Sequence, residues 1–223
     1  MPLKKQLLLV RHAQSQANSE GRVQGWMDSP LSEHGHFQAR RLANRLAAEF
    51  EADKIFASPL KRAAETAAYI QQATACPVHF NKHLKERNLG ALTGLTKQEI
   101  RDRFPEMERA WANNLPRPPI EGMETDAEFA LRVQLATEAV LRDTEPGTTA
   151  IVVSHGGALN QMLKNWLRLE KTGSSTFTFH NASLTIVDVR DTYVKLVLLN
   201  GLAHLGVDNV KRPPNYLTRH HPR

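Results

Sequence analysis

Apolar and polar positions along this chain follow two different periods. Leu7, Leu8, Leu9 and Val10 run without interruption, so residues 6–10 are expected to form a strand buried on both faces. A second such run, TAIVVS at 149–154, predicts another; Ile55 with Phe56 and residues 78–80 predict shorter ones. Between the strands the period lengthens. Ala39, Leu42, Ala43, Leu46 and Ala47 recur three and four residues apart and predict a helix over 32–50. Residues 60–72, 97–104 and 157–167 also read as helices. Over 125–142 the helix is announced by Thr125 with Glu128 three residues on, the reciprocal arrangement of a capping box. Near the C-terminus, β-branched residues alternate over 183–189 and 193–199 around the linker 190–192, which predicts a hairpin. Residues 105–123 hold four prolines between 105 and 119 and are expected to be irregular.

Strands alternating with helices predict an α/β fold. The expected form is a three-layer α/β/α sandwich around a mostly parallel sheet, with a C-terminal antiparallel hairpin. One domain is expected over 1–210, with a loop or lid insertion near 105–123 and a basic tail at 211–223. Internal repeats and low-complexity segments are lacking in the sequence.

Composition narrows the class. A chain of 223 residues with 41% apolar and 23% charged positions suits an ordinary globular protein. The single cysteine, Cys76, excludes an internal disulfide framework and fits a reducing cytoplasm. The N-terminal apolar run is too short for a signal peptide, and no stretch is long enough to span a membrane, so no membrane partner is expected. A net charge of +6 is compatible with nucleic acid or with small anionic substrates. Aromatics are only 6% and form no stacking pattern, so no nucleic-acid partner is expected.

The chemistry sits at the strand ends. Arg11 and His12 follow the first apolar run with no turn residue between. His155 follows the second one, ahead of two glycines and a helix. Ligands collect beyond the carboxyl ends of strands in open α/β sheets, and a helix N-terminus there favours anions. Arg62, in SPLKRAAETA after the short strand at 55–56, points to the same edge. Convergence of Arg11, His12, Arg62 and His155 would suit a phosphate, whose oxygens match guanidinium forks.

RHAQSQAN, residues 11–18, resembles the arginine–histidine signature of the histidine phosphatase superfamily, which includes the cofactor-dependent phosphoglycerate mutases. GRVQGWMDSPLSEHGHFQA, SPLKRAAETA, KERNLGALTG and VVSHGGAL resemble its later blocks in order, so the likeness spans roughly 7–205. The resemblance implies a phosphoglycerate mutase-like catalytic domain working through a phosphohistidine, with no metal and no other cofactor. His12 is the implied nucleophile, and Arg11, Arg62 and His155 surround the phosphoryl oxygens. Glu86 is the implied proton donor, a role that requires a raised pKa. Asn18, Gln24, Gly25 and Gly156 are implied phosphate or substrate contacts, with Arg11 and Arg62. Two positions depart from the pattern: Ala13 stands where glycine is usual, and Gln14 where many members have glutamate.

Other residues stay open at this level. Arg22 is either a substrate contact or a solvated charge; Trp26 either walls the pocket or packs in the core. Asn181 either supports the site or has no part in it. Arg109 and Arg117 either bind a second phosphate or a carboxylate, or are surface charge. His34 and His36 face apart on a helix, His83 and His204 read as structural or surface residues, and His220 and His221 lie in the tail, so no metal site is expected.

The resemblance implies one of two activities. Glycolytic mutases carry a longer insertion between the glutamate and second-histidine blocks, whereas here Glu86 and His155 are only 69 positions apart. The expected function is therefore a metal-independent phosphomonoesterase acting on a small phosphorylated metabolite. Mutase-type phosphoryl transfer is the alternative, and a non-catalytic anion or nucleic-acid binding module is the alternative of another class.

Overall fold

In the computed structural model, which describes residues 4–113, 115–169 and 176–206, the first apolar run becomes β1 (Lys5–Arg11). β2 (Lys54–Ala57), β3 (Val78–Phe80) and β4 (Thr149–Ser154) lie parallel to it, while β5 (Leu184–Val189) and β6 (Val194–Gly201) run antiparallel. The sheet order is β3-β2-β4-β1-β5-β6. The helices are α1 (Gln16–Ser19), α2 (Glu33–Glu49), α3 (Lys61–Thr74), α4 (Lys97–Arg103), α5 (Pro105–Ala112), α6 (Asp126–Arg142) and α7 (Gly156–Trp166).

β1 shows why its apolar run does not alternate. Leu8 and Val10 enter one core with Leu42 and Leu46 of α2 and Ala67 and Ile70 of α3. Leu7 and Leu9 enter the opposite core with Val133 and Val140 of α6 and Leu159 and Leu163 of α7. A strand covered by helices on both faces must be apolar at every position. The result is the expected three-layer sandwich, with the antiparallel pair β5–β6 at one edge.

The structure corrects the irregular reading of 105–123. Residues 105–112 form α5, because Pro105 takes the first helical position, where its missing N–H costs nothing. Phe104 turns the chain at φ −136° and ψ 58°, so α4 ends just before α5 begins. Met107 then packs on Leu92 and Ile100 in a third, smaller core. The other element missed from sequence is α1, where Ser15 and Asn18 form a capping box with asparagine in place of the usual glutamate. Among the described residues no helix is long and apolar enough to cross a membrane. The tail 211–223, with His220 and His221, lies outside the described residues.

Candidate active site

Strand register brings the two histidines together. Arg11 pairs with Ser154 across the β1–β4 ladder, so the next residue on each strand, His12 and His155, leaves the sheet side by side. Their ring centroids are 5.1 Å apart at an interplanar angle of 56°. β2 adds Ser58, whose amide donates to the Val153 carbonyl and whose Oγ lies 2.8 Å from His155 Nε2. The turn after β2 then starts α3 and brings Arg62 over His12.

Two contacts and burial define the state of His12. Its Nδ1 lies 2.7 Å from the Ala13 carbonyl, which only accepts, so Nδ1 carries the proton. Arg62 Nε donates to His12 Nε2 at 3.2 Å, so Nε2 presents a lone pair. Burial, and then Arg62 and Arg11, hold the His12 imidazole well below its ordinary pKa, which keeps it neutral. His155 is held low in the same way, by burial first and then by Arg62, His12 and Arg11.

The two arginines are fixed by the backbone. Arg62 is 1% exposed and donates to the Met27 and Gly25 carbonyls at 2.8 and 2.9 Å. Burial lowers its pKa to about 10, so it is a cation at neutral pH. Gly25 can present its carbonyl there because its φ is +48° and a Cβ would sit 2.9 Å from the Leu89 amide. Arg11 donates to the Phe179 carbonyl, and its buried Nε has no partner among the described residues. A buried donor left in this way is a natural contact for an anion.

Glu86 arrives on a separate loop. One carboxylate oxygen accepts from the Gly157 amide at 2.9 Å and the other from the Arg87 amide at 2.9 Å. Gly157 has to be glycine for this approach, since a Cβ would stand 2.3 Å from Glu86 Oε1. Arg132 of α6 anchors the loop. It donates to the carbonyls of His83, Lys85 and Glu86, and forms a two-pronged pair with Glu124 at 2.6 and 2.7 Å. Neither Arg132 nor Glu124 stood out in the sequence. The GMETDAEF stretch carries no motif that ties it to the glutamate block.

Arg11, His12, Arg62 and Glu86 all line one pocket of about 890 Å³, and Asn18, Gln24 and Gly25 line it too. His155 lies behind His12, outside the lining, and Gly156 packs behind Arg11, with its missing Cβ 3.7 Å from Arg11 Nε. Of the two glycines that follow His155, Gly157 is the one in the lining. Asn181 bridges the His12 carbonyl and Asn18 Oδ1, both at 3.1 Å, so it braces the strand end. Trp26 is 39% exposed and donates to the Glu86 carbonyl at 2.6 Å rather than walling the pocket or packing in the core. Arg22 and Arg117 reach the pocket, as do Arg87 and Lys164, which the sequence reading had not singled out; Arg109 does not.

The two departures from the motif prove mild. Ala13 keeps a negative φ and its amide donates to Thr66 Oγ1, so no glycine is needed. Gln14 accepts from Ser32 Oγ at 2.8 Å and so ties β1 to the start of α2, away from the pocket lining. Among the described residues, no three His, Cys, Asp or Glu side chains group as metal ligands. His34 instead meets Gln38, and His36 meets Tyr69.

The chain is similar to several known proteins. The chain is 35% identical over 191 residues to a probable phosphoglycerate mutase of Shigella boydii, covering 84% of this chain and 86% of the relative. It is 34% identical over 200 residues to phosphoserine phosphatase 1 of Hydrogenobacter thermophilus, covering 90% and 94%. Among solved structures, a mycobacterial glucosyl-3-phosphoglycerate phosphatase in complex with VO3 shares the fold at a TM-score of 0.78 and 29% identity, over 88% of this chain and 99% of that one. The family model described as histidine phosphatase superfamily (branch 1) matches residues 7–201. With a neutral histidine between two arginines at the strand ends, and with that match over most of its length, this chain belongs to the histidine phosphatase superfamily.

Proposed function

We propose that the protein is a phosphomonoesterase that works through a phosphohistidine on His12, acting on a small phosphorylated metabolite. One observation carries this reading: the unprotonated ring nitrogen of His12 is Nε2, at the pocket lining, and its contact is a 3.2 Å hydrogen bond from Arg62 Nε, a donor that can pass to a phosphoryl oxygen and free the lone pair for attack. A neutral imidazole with one nitrogen committed to a carbonyl is an activated nucleophile.

The steps balance. His12 Nε2 attacks phosphorus, an N–P bond forms and the ester P–O bond breaks. Glu86 gives its proton to the departing alkoxide, and Arg11 and Arg62 offset charge on the equatorial oxygens. Water then attacks the phosphohistidine, Glu86 takes its proton, and inorganic phosphate leaves with His12 neutral again. His155 acts from behind, supporting the His12 ring. The two guanidinium groups supply the charge that a metal supplies elsewhere, so turnover should persist in EDTA.

Likeness to the probable phosphoglycerate mutase of Shigella boydii favours mutase transfer as a second reading, because transfer back to substrate needs the same phosphohistidine. The test is turnover of an aryl phosphate in EDTA, with acid-quenched trapping of label from the substrate. His12→Ala should lose at least about a hundredfold in rate, roughly 3 kcal/mol in barrier, and all label, while keeping its thermal unfolding profile. A His12→Ala protein that keeps more than about a hundredth of the parent rate would end the covalent reading. Label passing to added phosphoglycerate instead of to water would favour the mutase.

A further inference from the structure

Arg11 is aimed by a peptide group, and that group is itself held. The Arg11 Nη1 donates to the carbonyl of Phe179. The N–H of the same peptide group belongs to His180, and it donates to Asn200 Oδ1 at 2.7 Å. In a trans peptide the C=O and the N–H point in opposite directions within one plane. Holding the N–H therefore fixes where the C=O points, and with it the guanidinium that the carbonyl receives. A peptide that donates through its N–H is also a better acceptor at its oxygen.

The local backbone suits Asn200 to this grip. An N–H can only donate, so the Asn200 atom facing the His180 amide is the oxygen. The other is the NH2 group, which donates to His180 Nδ1 at 2.6 Å. Leu184 of β5 pairs with Gly201 and Ile186 with Leu198, so β6 holds one residue more than β5 between these pairs. Bulges of this kind re-aim a side chain. At this bulge Asn200 has a φ of +54°, a left-handed conformation that asparagine adopts more readily than most residues. Its own amide donates to Thr185 Oγ1 at 2.9 Å, and Thr185 pairs with Leu9 of β1. The frame therefore closes on the strand that carries Arg11.

The far end of the 179–183 turn is anchored separately. The Ala182 amide donates to the Arg11 and His12 carbonyls at 3.1 and 3.2 Å, and the Asn181 side chain also holds the His12 carbonyl. That leaves Asn200 to govern the Phe179–His180 end, where the Arg11 side chain docks. Neither His180 nor Asn200 lines the pocket, so Asn200 can act on the chemistry only through another group.

We propose that Asn200 is a positioning residue: through the Phe179–His180 peptide it directs the Arg11 guanidinium at the phosphoryl oxygens. This rests on the phosphatase reading above. The buried Arg11 Nε, which has no partner among the described residues, is the donor that this aim presents.

A double-mutant cycle tests the role. Asn200→Gly keeps the positive φ and removes the side chain, while Arg11→Gln removes the group to be aimed. The readouts are Kd for inorganic phosphate by calorimetry and kcat/KM for an aryl phosphate, with thermal unfolding to show that each protein is folded. Asn200→Gly should lose about tenfold or more in both, within the roughly 10²-fold that a small misplacement can cost. In the Arg11→Gln background the same change should cost less than about twofold, because the two sites share one effect. Asn200→Asp keeps an oxygen for the His180 amide and should recover most of the loss. His180→Ala leaves the peptide N–H in place and should stay within about twofold of the parent, the scatter of uncoupled sites. Parent-like values in Asn200→Gly, or an equal loss in both backgrounds, overturns the proposal. A large loss in His180→Ala overturns it too, whether or not the glycine variant folds, because the ring would then carry the effect. Phosphate affinity that follows the expected pattern, with no turnover in any protein, would refute the phosphatase reading and leave the positioning role supported.

Discussion

In the proposed mechanism Glu86 and His12 divide the reaction between proton transfer and bond formation, and the division can be measured. An aryl phosphate leaves as a stable phenolate, while an alkyl phosphate leaves as a poor alkoxide that needs a proton. If Glu86 supplies it, Glu86→Gln should slow phosphoenzyme formation from an alkyl phosphate by about 10²–10⁴-fold. The aryl substrate should lose far less at that step, and its phosphoenzyme should accumulate, because the same carboxylate activates the incoming water. Rapid-quench traces for the two substrates decide this. Equal slowing on both would mean that Glu86 shapes the pocket and that the acid lies elsewhere. Glutamine keeps the volume but can accept from only one of the Gly157 and Arg87 amides. The two substrates share any such loss of position within the variant, so comparing them isolates the proton.

At the scale of elements, the carboxylate is held by a helix from another part of the chain. Arg132 of α6 spends its guanidinium on three carbonyls of the Glu86 loop and on Glu124, with side-chain exposures of only 13% and 15% for the pair. Glu124 Oε2 also accepts from the Asn88 amide at 2.7 Å, so both partners clamp the same loop. Arg132→Met should cost about 2–4 kcal/mol in unfolding free energy, because it strands Glu124 and three carbonyls. It should also lower kcat for alkyl phosphates more than for aryl phosphates, since a loosened loop would misplace Glu86, the proposed proton donor. Denaturant unfolding and the two rates measure both effects. An unchanged alkyl-to-aryl ratio would make Arg132 a stability residue only.

For the whole molecule, three buried histidines make stability depend on pH. Burial comes first in lowering His12, His155 and His204, the last to about 4. In the unfolded chain each would titrate near 6.5. The unfolded state therefore takes up protons that the folded state refuses, and stability falls as pH drops below about 6.5. For His204 the loss runs from about 6.5 down to about 4. Each group contributes a slope of up to about 1.4 kcal/mol per pH unit within its window. Urea unfolding at pH 7.5 and 5.5 should show the lower stability at 5.5, and His204→Gln, remote from the pocket lining, should flatten the slope by one group. A flat profile over this range would mean that the folded histidines protonate freely.

Much of this architecture was legible along the chain. Period and apolar runs located the strands and most helices, because one-sided or two-sided burial dictates which positions must be apolar. The order of Arg11-His12, Arg62 and His155 after three strands pointed to one anion-binding edge, since parallel strands deliver their C-terminal residues to the same side. Local rules misread the stretch from Pro105, where a proline that breaks a helix interior instead starts one. The chain order carries no register, and only the Arg11–Ser154 pairing sets His12 beside His155. Nor does it carry the long-range contacts that hold Glu86 on Gly157 and Arg132. Those depend on packing α6 and α7 against one face of the sheet, which joins segments tens of residues apart that no local pattern relates.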